Sequence, residues 1–181
     1  IKTAHYVSPS VWAWRKKRIV KIAKAVDIML TLLPFEAEFY RQNNVPVTFV
    51  GHPLADDLPL DVDVLAARTE LGFTMDDKIL ALMPGSRSGE VERLAPMYLE
   101  VAKNCLQYFP QLKIVLPAAS NERRVQLETI LAGSEELPVL LLDGQSHTAM
   151  AAADTILMAS GTTALEALLL KKPMVVGYKL A

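Results

Sequence analysis

Residues 79–90 read ILALMPGSRSGE, and this stretch decides the fold. Ile79 to Met83 is an unbroken apolar run, the pattern of a strand buried on both faces of a parallel sheet. The next six residues, PGSRSG (84–89), form a turn with two glycines, and apolar residues at helical spacing follow from Val91. A strand, a glycine-containing turn and a helix in that order make one βα unit. Free N–H groups at the helix start favour an anion, and Gly85 lets the backbone approach it closely. Ser86 sits in the same turn, and the Arg87 guanidinium is a planar fork suited to phosphate oxygens. The plainer alternative is a tight βα turn with an exposed arginine. The spacing fits neither the Walker pattern nor the dinucleotide fingerprint.

Working outward, the same rhythm fills the chain. Strands are predicted at 3–7, 28–33, 47–50, 79–83, 113–116, 139–142, 155–158 and 174–176. Helices are predicted at 12–26, 35–42, 64–71, 91–108, 122–131, 148–152 and 163–170. Residues 54–63 break the pattern with Pro59 and four aspartates, Asp56, Asp57, Asp61 and Asp63. A domain boundary is therefore expected near Pro53, giving domains of 1–53 and 54–181. The fold class is α/β, with Rossmann-like domains built on parallel sheets. Two such halves would hold a ligand at their carboxyl edges.

Composition narrows the function classes. The chain has 181 residues, is 51% hydrophobic and carries a net charge of −1, so general attraction to nucleic acid is not expected. A single cysteine, Cys105, cannot make an internal disulfide and fits a reducing compartment. No apolar run reaches the ~18 residues needed to cross a bilayer, and no secretory signal pattern occurs. The expectation is a soluble cytoplasmic protein. Because the chain opens at Ile1 without Met and stops at Ala181 beside a strand-like run, it is read as an internal fragment.

A second strand–turn–helix unit lies at residues 159–166, ASGTTALE. Ser160 or Thr162 is the expected N-cap, Gly161 permits close backbone approach, and Thr163 opens the helix. Glu166, about one turn in, could accept hydrogen bonds from a pair of sugar hydroxyls; otherwise it complements the helix dipole. The basic run Arg15, Lys16, Lys17, Arg18, Lys21 and Lys24 follows Trp12 and Trp14, a pattern for either a solvated helix face or an anionic membrane contact. No nucleic-acid-binding pattern accompanies it. His5, His52 and His147 are scattered without metal-ligand spacing. His52, between Gly51 and Pro53, is the one histidine that is a site candidate, with a structural turn role as the alternative. No nucleophile elbow is present.

Five segments closely resemble the lipid-A-disaccharide synthase family: HYVSPSVWAWR (5–15), LLPFEAEFY (32–40), VTFVGHPLAD (47–56), LMPGSR (82–87) and ASGTTALEALL (159–169). The resemblance runs along the whole chain. It implies the two-domain glycosyltransferase B architecture, with residues 1–53 ending the amino-terminal domain and 54–181 forming most of the nucleotide domain. It implies transfer of 2,3-diacylglucosamine from its UDP donor to 2,3-diacylglucosamine 1-phosphate, making the β-1,6 lipid A disaccharide and UDP. On this reading Gly85, Ser86 and Arg87 meet the diphosphate, Ser160, Gly161, Thr162 and Thr163 form a second cradle, and Glu166 takes the ribose. Arg87 and these N–H groups stabilise the departing UDP, while His52 lies near the cleft. No metal and no cofactor beyond the UDP-linked donor are implied. The implied location is cytoplasmic and peripheral on a Gram-negative inner membrane, and dimer contacts would fall beyond Ala181. The family's loop usually has glycine directly after the arginine; here Ser88 precedes Gly89, which moves the flexible position by one residue.

Two other readings stand beside it. Another UDP-sugar enzyme of the same architecture, a peptidoglycan N-acetylglucosaminyltransferase or an epimerase, would share the phosphate loop and Glu166. A non-catalytic anion- or membrane-binding module would depend on the basic run instead. As a fragment, the chain alone is expected to be inactive.

Overall fold

Apolar runs and amphipathic helices alternate to lay down two parallel sheets in the computed structural model, in which residues 1–133 and 137–179 are described. The last two positions of the expected second domain, 180 and 181, lie outside the described residues. The chain divides into two compact units, Ile1–Asp57 and Leu58–Ala181.

In the first unit, β1 (Ala4–Tyr6) leads through a 3-10 turn (Lys16–Arg18) and α1 (Ile19–Ala25) to β2 (Ile28–Thr31). Then α2 (Pro34–Gln42) leads to β3 (Val47–Phe49) and the one-turn α3 (Leu54–Asp57). The strands pair in parallel in the order β1-β2-β3. Val11, Ile19, Met29, Tyr40 and Val45 form the core. The Tyr40 hydroxyl is buried there against Ser8 Oγ at 2.9 Å.

Two expectations for this unit need correction. The basic run does not form a helix over 12–26: Arg15 sits at φ 55, in the left-handed region that a helix cannot pass through, and α1 begins only at Ile19. Tertiary anchors hold the preceding segment instead, since Val11 is buried and Trp12 Nε1 donates to Glu36 Oε1 at 3.1 Å. The strand expected over 28–33 ends at Thr31, and the helix expected from 35 starts at Pro34. Pro34 opens α2 at the first helical position, where its missing N–H costs nothing. The Leu33 N–H donates to Glu36 Oε2 at 3.1 Å and completes that helix start.

The division after Asp57 lies beyond the Pro53 boundary read from composition, because α3 groups with the first unit. Of residues 54–63, only Leu54–Asp57 is helical, as α3. Leu58 is already part of the second unit's core.

The second unit runs α4 (Val64–Glu70), β4 (Ile79–Met83), α5 (Ser88–Tyr108), β5 (Lys113–Ala118), α6 (Asn121–Ala132), β6 (Val139–Asp143), α7 (Ser146–Ala152), β7 (Thr155–Ala159), α8 (Thr162–Leu169) and β8 (Met174–Gly177). Its five strands are parallel in the order β6-β5-β4-β7-β8. The chain winds outward from β4 through β5 to β6, then returns to lay β7 on the other side of β4.

Strand alternation builds a core on each face. Ala81, Met83, Ile156 and Met158 face one layer with Ala67 of α4, Ala149 of α7 and Ala167 of α8. Leu80, Leu82, Ile114, Leu116 and Leu157 face the other with Val91, Leu94, Tyr98 and Leu127. β4 is buried along its whole length, as its continuous apolar sequence requires. At the amino edge, buried Arg68 donates to the carbonyls of Ala152, Thr74, Met75 and Asp77 and pairs with Asp154 at 3.0 Å. Asp154 Oδ2 in turn accepts the Ile79 N–H at 2.8 Å, so one saturated guanidinium holds the edge from which β4 starts.

Candidate functional site

The winding of the second unit reverses between β4 and β7. At such a switch point the two following loops diverge to opposite faces and leave a crevice at the carboxyl ends of the strands. A cavity of about 480 Å³ lies there. The loop after β4 contributes Gly85, Ser86 and Arg87, and the loop after β7 contributes Ser160, Gly161, Thr162 and Thr163. Glu166 lines it from α8 and Glu90 from α5, while Pro117 to Ala119, Gly144 and Ser146 close the β5–β6 side. The structure thus gathers eight of the nine sequence-predicted site residues around one cavity. The ninth, His52, lies in the first unit, where its Nδ1 accepts the Leu54 N–H at 3.2 Å and starts α3.

Each loop has a local cause. Gly85 adopts φ +111, open to glycine alone at low cost, and a Cβ there would lie 2.5 Å from Glu90 Oε2. That close approach lets the turn fold down onto the first turn of α5. Helix α5 starts earlier than its apolar period indicates, at Ser88, so Gly89 is helical and the Ser88-Gly89 order falls inside the helix rather than in the loop. At α8 the N-cap is Gly161, neither Ser160 nor Thr162, and no side chain caps the helix. Gly161 has extended backbone there, and the first-turn N–H groups of Thr162 and Thr163 are left to the cavity.

The charges are paired within the cavity wall. Arg87 is 82% exposed at its side chain and donates from Nη1 to Glu90 Oε1 at 2.7 Å. The Arg87 guanidinium holds the Glu90 carboxyl below the usual carboxylate range, against a smaller opposing effect of burial. Glu166 Oε2 lies 3.3 Å from His147 Nε2, at the start of α7. The site therefore offers two helix starts, a cationic fork with remaining donors, and a carboxylate about one helical turn away. That set suits a diphosphate joined to a group bearing vicinal hydroxyls.

Sequence reasoning missed Glu90 and His147. Glu90 had a signal, because a glutamate three residues after the residue that precedes a helix commonly folds back onto the helix start. His147 had none, since its partner belongs to a different βα unit. Among the described residues no group of three or more His, Cys, Asp or Glu is placed to hold a metal ion. Among them, too, no helix is long and apolar enough to cross a membrane.

A sequence model described as lipid-A-disaccharide synthetase matches residues 1–181. The chain is 59% identical over 181 residues to the lipid-A-disaccharide synthase of Pseudomonas syringae pv. syringae, covering all of this chain and 47% of that protein. It spans about half the length of the curated relatives it matches. Among solved structures it resembles Escherichia coli ADP-heptose LPS heptosyltransferase II, with a TM-score of 0.52 and 16% identity over 91% of this chain and 66% of that one. It also resembles Anabaena HepE, solved with UDP-glucose, with a TM-score of 0.50 and 15% identity over 96% of this chain and 52% of that one. These structural likenesses establish the glycosyltransferase B fold.

Proposed function

The chain belongs to the lipid-A-disaccharide synthetase family, and from that membership we propose that it supplies the nucleotide-sugar site of a hexosyltransferase. The reaction is transfer of 2,3-diacylglucosamine from its UDP donor to 2,3-diacylglucosamine 1-phosphate. The β-1,6 lipid A disaccharide forms and UDP leaves. The convergence of the two glycine-containing loops and Glu166 on one cavity at the switch point is the observation that carries this reading.

In this proposal Gly85, Ser86 and Arg87 receive the diphosphate. Arg87 turns part of its fork from Glu90 to the phosphate oxygens. Ser160, Gly161, Thr162 and Thr163 present the N-terminus of α8 to the same group, and Glu166 accepts from the ribose hydroxyls. Negative charge grows on UDP as the glycosidic bond breaks, so these donors stabilise the transition state more than the bound donor. His52, whose Nδ1 is used within its own turn, belongs to the same proposal as a catalytic candidate. Acylated substrates place the full-length protein at the cytoplasmic face of the inner membrane, peripherally bound, and a homodimer of that protein belongs to the same proposal.

The test is a titration of UDP, with ADP and inorganic phosphate as controls, followed by amide shifts in this chain and in Arg87→Ala and Glu166→Ala. UDP is expected to perturb the loops after β4 and β7, and each substitution to weaken binding about tenfold or more, the scale of a charged hydrogen bond. A folded chain that gives no response to UDP, or equal responses to UDP and phosphate, overturns the nucleotide reading. Comparing acylated with unacylated donors in the full-length protein separates lipid A synthesis from a peptidoglycan enzyme of the same fold.

A further inference from the structure

We propose that His147 is the positioning residue of Glu166, holding its carboxylate in the orientation that recognises the ribose hydroxyls; this rests on the nucleotide reading above. The juxtaposition is direct: His147 Nε2 lies 3.3 Å from Glu166 Oε2, with the histidine half-exposed and the glutamate side chain 17% exposed. A glutamate has three side-chain torsions and would otherwise sample several orientations at the cavity wall. The imidazole nitrogen 3.3 Å from Oε2 restricts that freedom. It leaves Oε1 and the second lone pair of Oε2 to accept from a diol. Oε1 has no protein partner among the described residues.

The turn that delivers His147 is unusual and locked from both sides. Gly144 and Gln145 are successive residues with positive φ, +64 and 53, and such a conformation at a glutamine persists only when its surroundings enforce it. The Gly144 N–H donates to the Ala118 carbonyl at 2.8 Å, tying the turn to the end of β5. Gln145 Nε2 donates to Glu70 Oε1 at 2.9 Å, tying it to the end of α4. The strained pair reverses the chain after β6, so that the first turn of α7 presents Ser146 to the cavity and His147 to Glu166. A backbone held this way fixes the height of the imidazole against α8.

The experiment measures Kd for UDP and for 2′-deoxy-UDP by calorimetry on this chain and on His147→Ala, His147→Gln and Glu166→Ala, with amide spectra confirming each fold. The unsubstituted chain is expected to favour UDP by about tenfold, the scale of one hydrogen bond to a carboxylate. His147→Ala should narrow that preference to about threefold or less while the Kd for 2′-deoxy-UDP stays within about twofold, since only the oriented acceptor is lost. His147→Gln should restore most of the preference, because its amide N–H can donate to Oε2. If Glu166→Ala keeps the preference, the ribose assignment of Glu166 fails and the proposal with it. If Glu166→Ala erases the preference but His147→Ala keeps it, the ribose assignment stands and the positioning role of His147 falls. Equal weakening of both nucleotides by His147→Ala also overturns it, because that is the mark of a general structural role.

Discussion

At the scale of single residues, the site depends on a glycine and a glutamate that occupy one place. Gly85 lacks a Cβ, and the space a Cβ would fill holds the Glu90 carboxylate, which in turn holds Arg87. Glu90 therefore competes with any phosphate for the guanidinium. Glu90→Gln should release Arg87 and remove a negative charge from the cavity, tightening UDP binding about threefold to tenfold at neutral pH, measured by calorimetry. The same variant has a pH signature. The Glu90 carboxyl titrates lower in the folded chain than its ordinary value of 4.5, so its stabilisation is complete above that value and is lost as pH falls through the folded one. Acid unfolding followed by circular dichroism should accordingly be shallower in Glu90→Gln. Gly85 and Arg87 were legible in the sequence because glycine and arginine signal their chemistry by themselves. Glu90 was signalled only as a helix-start glutamate; that its carboxylate fills the space beside Gly85 depends on how sharply the turn folds back.

At the scale of elements, α5 shows how far periodicity carries. Val91, Leu94, Ala95, Tyr98, Leu99 and Ala102 are buried at helical spacing, and that stripe predicts the helix and its core face alike. Its exposed face carries Pro96, which has no N–H to offer the Glu92 carbonyl. Packing of the apolar stripe overrides this defect. Pro96→Ala should raise stability by about 1–2 kcal/mol in urea unfolding, the gain in helix propensity less the added entropy of the unfolded chain. A loss of stability there would mean that a proline-induced bend is needed to fit α5 to the sheet. Helix α1 is the opposite case. Its charges and apolar residues predicted one long helix, yet the anchoring of Val11 and the Trp12–Glu36 bond hold the first part of that segment in turns. Glu36 lies far along the chain from Trp12, beyond the reach of local pattern.

At the scale of the whole molecule, each unit has its own core and its own buried tyrosine. Burial pushes both Tyr40 and Tyr98 above the ordinary 10.0. Tyr40 pairs with Ser8, and Tyr98 donates to the Gly177 carbonyl at 3.0 Å, joining α5 to β8. A raised folded value means stability that is complete below about pH 10 and is lost as pH rises through the folded value. Both tryptophans, Trp12 and Trp14, lie in the first unit, so their fluorescence follows that unit alone. Tyr98→Phe should cost about 1 kcal/mol at neutral pH through the lost hydrogen bond, and make the alkaline loss of circular dichroism less steep. The alkaline fluorescence change should stay in place; a shift in both signals would show that the two cores unfold as one. By itself the sequence determined the α/β class, the strand and helix order, and which residues are candidates for a phosphate site. These follow from short-range causes: apolar period, glycine and proline geometry, and the chemistry of individual side chains. Only the tertiary structure decided that β7 returns to lie beside β4, and with it the meeting of the two loops, the Gly161 cap and the His147–Glu166 pair. Strand order depends on how the sheet buries both of its faces at once, a sum over distant contacts that no local stretch of residues contains.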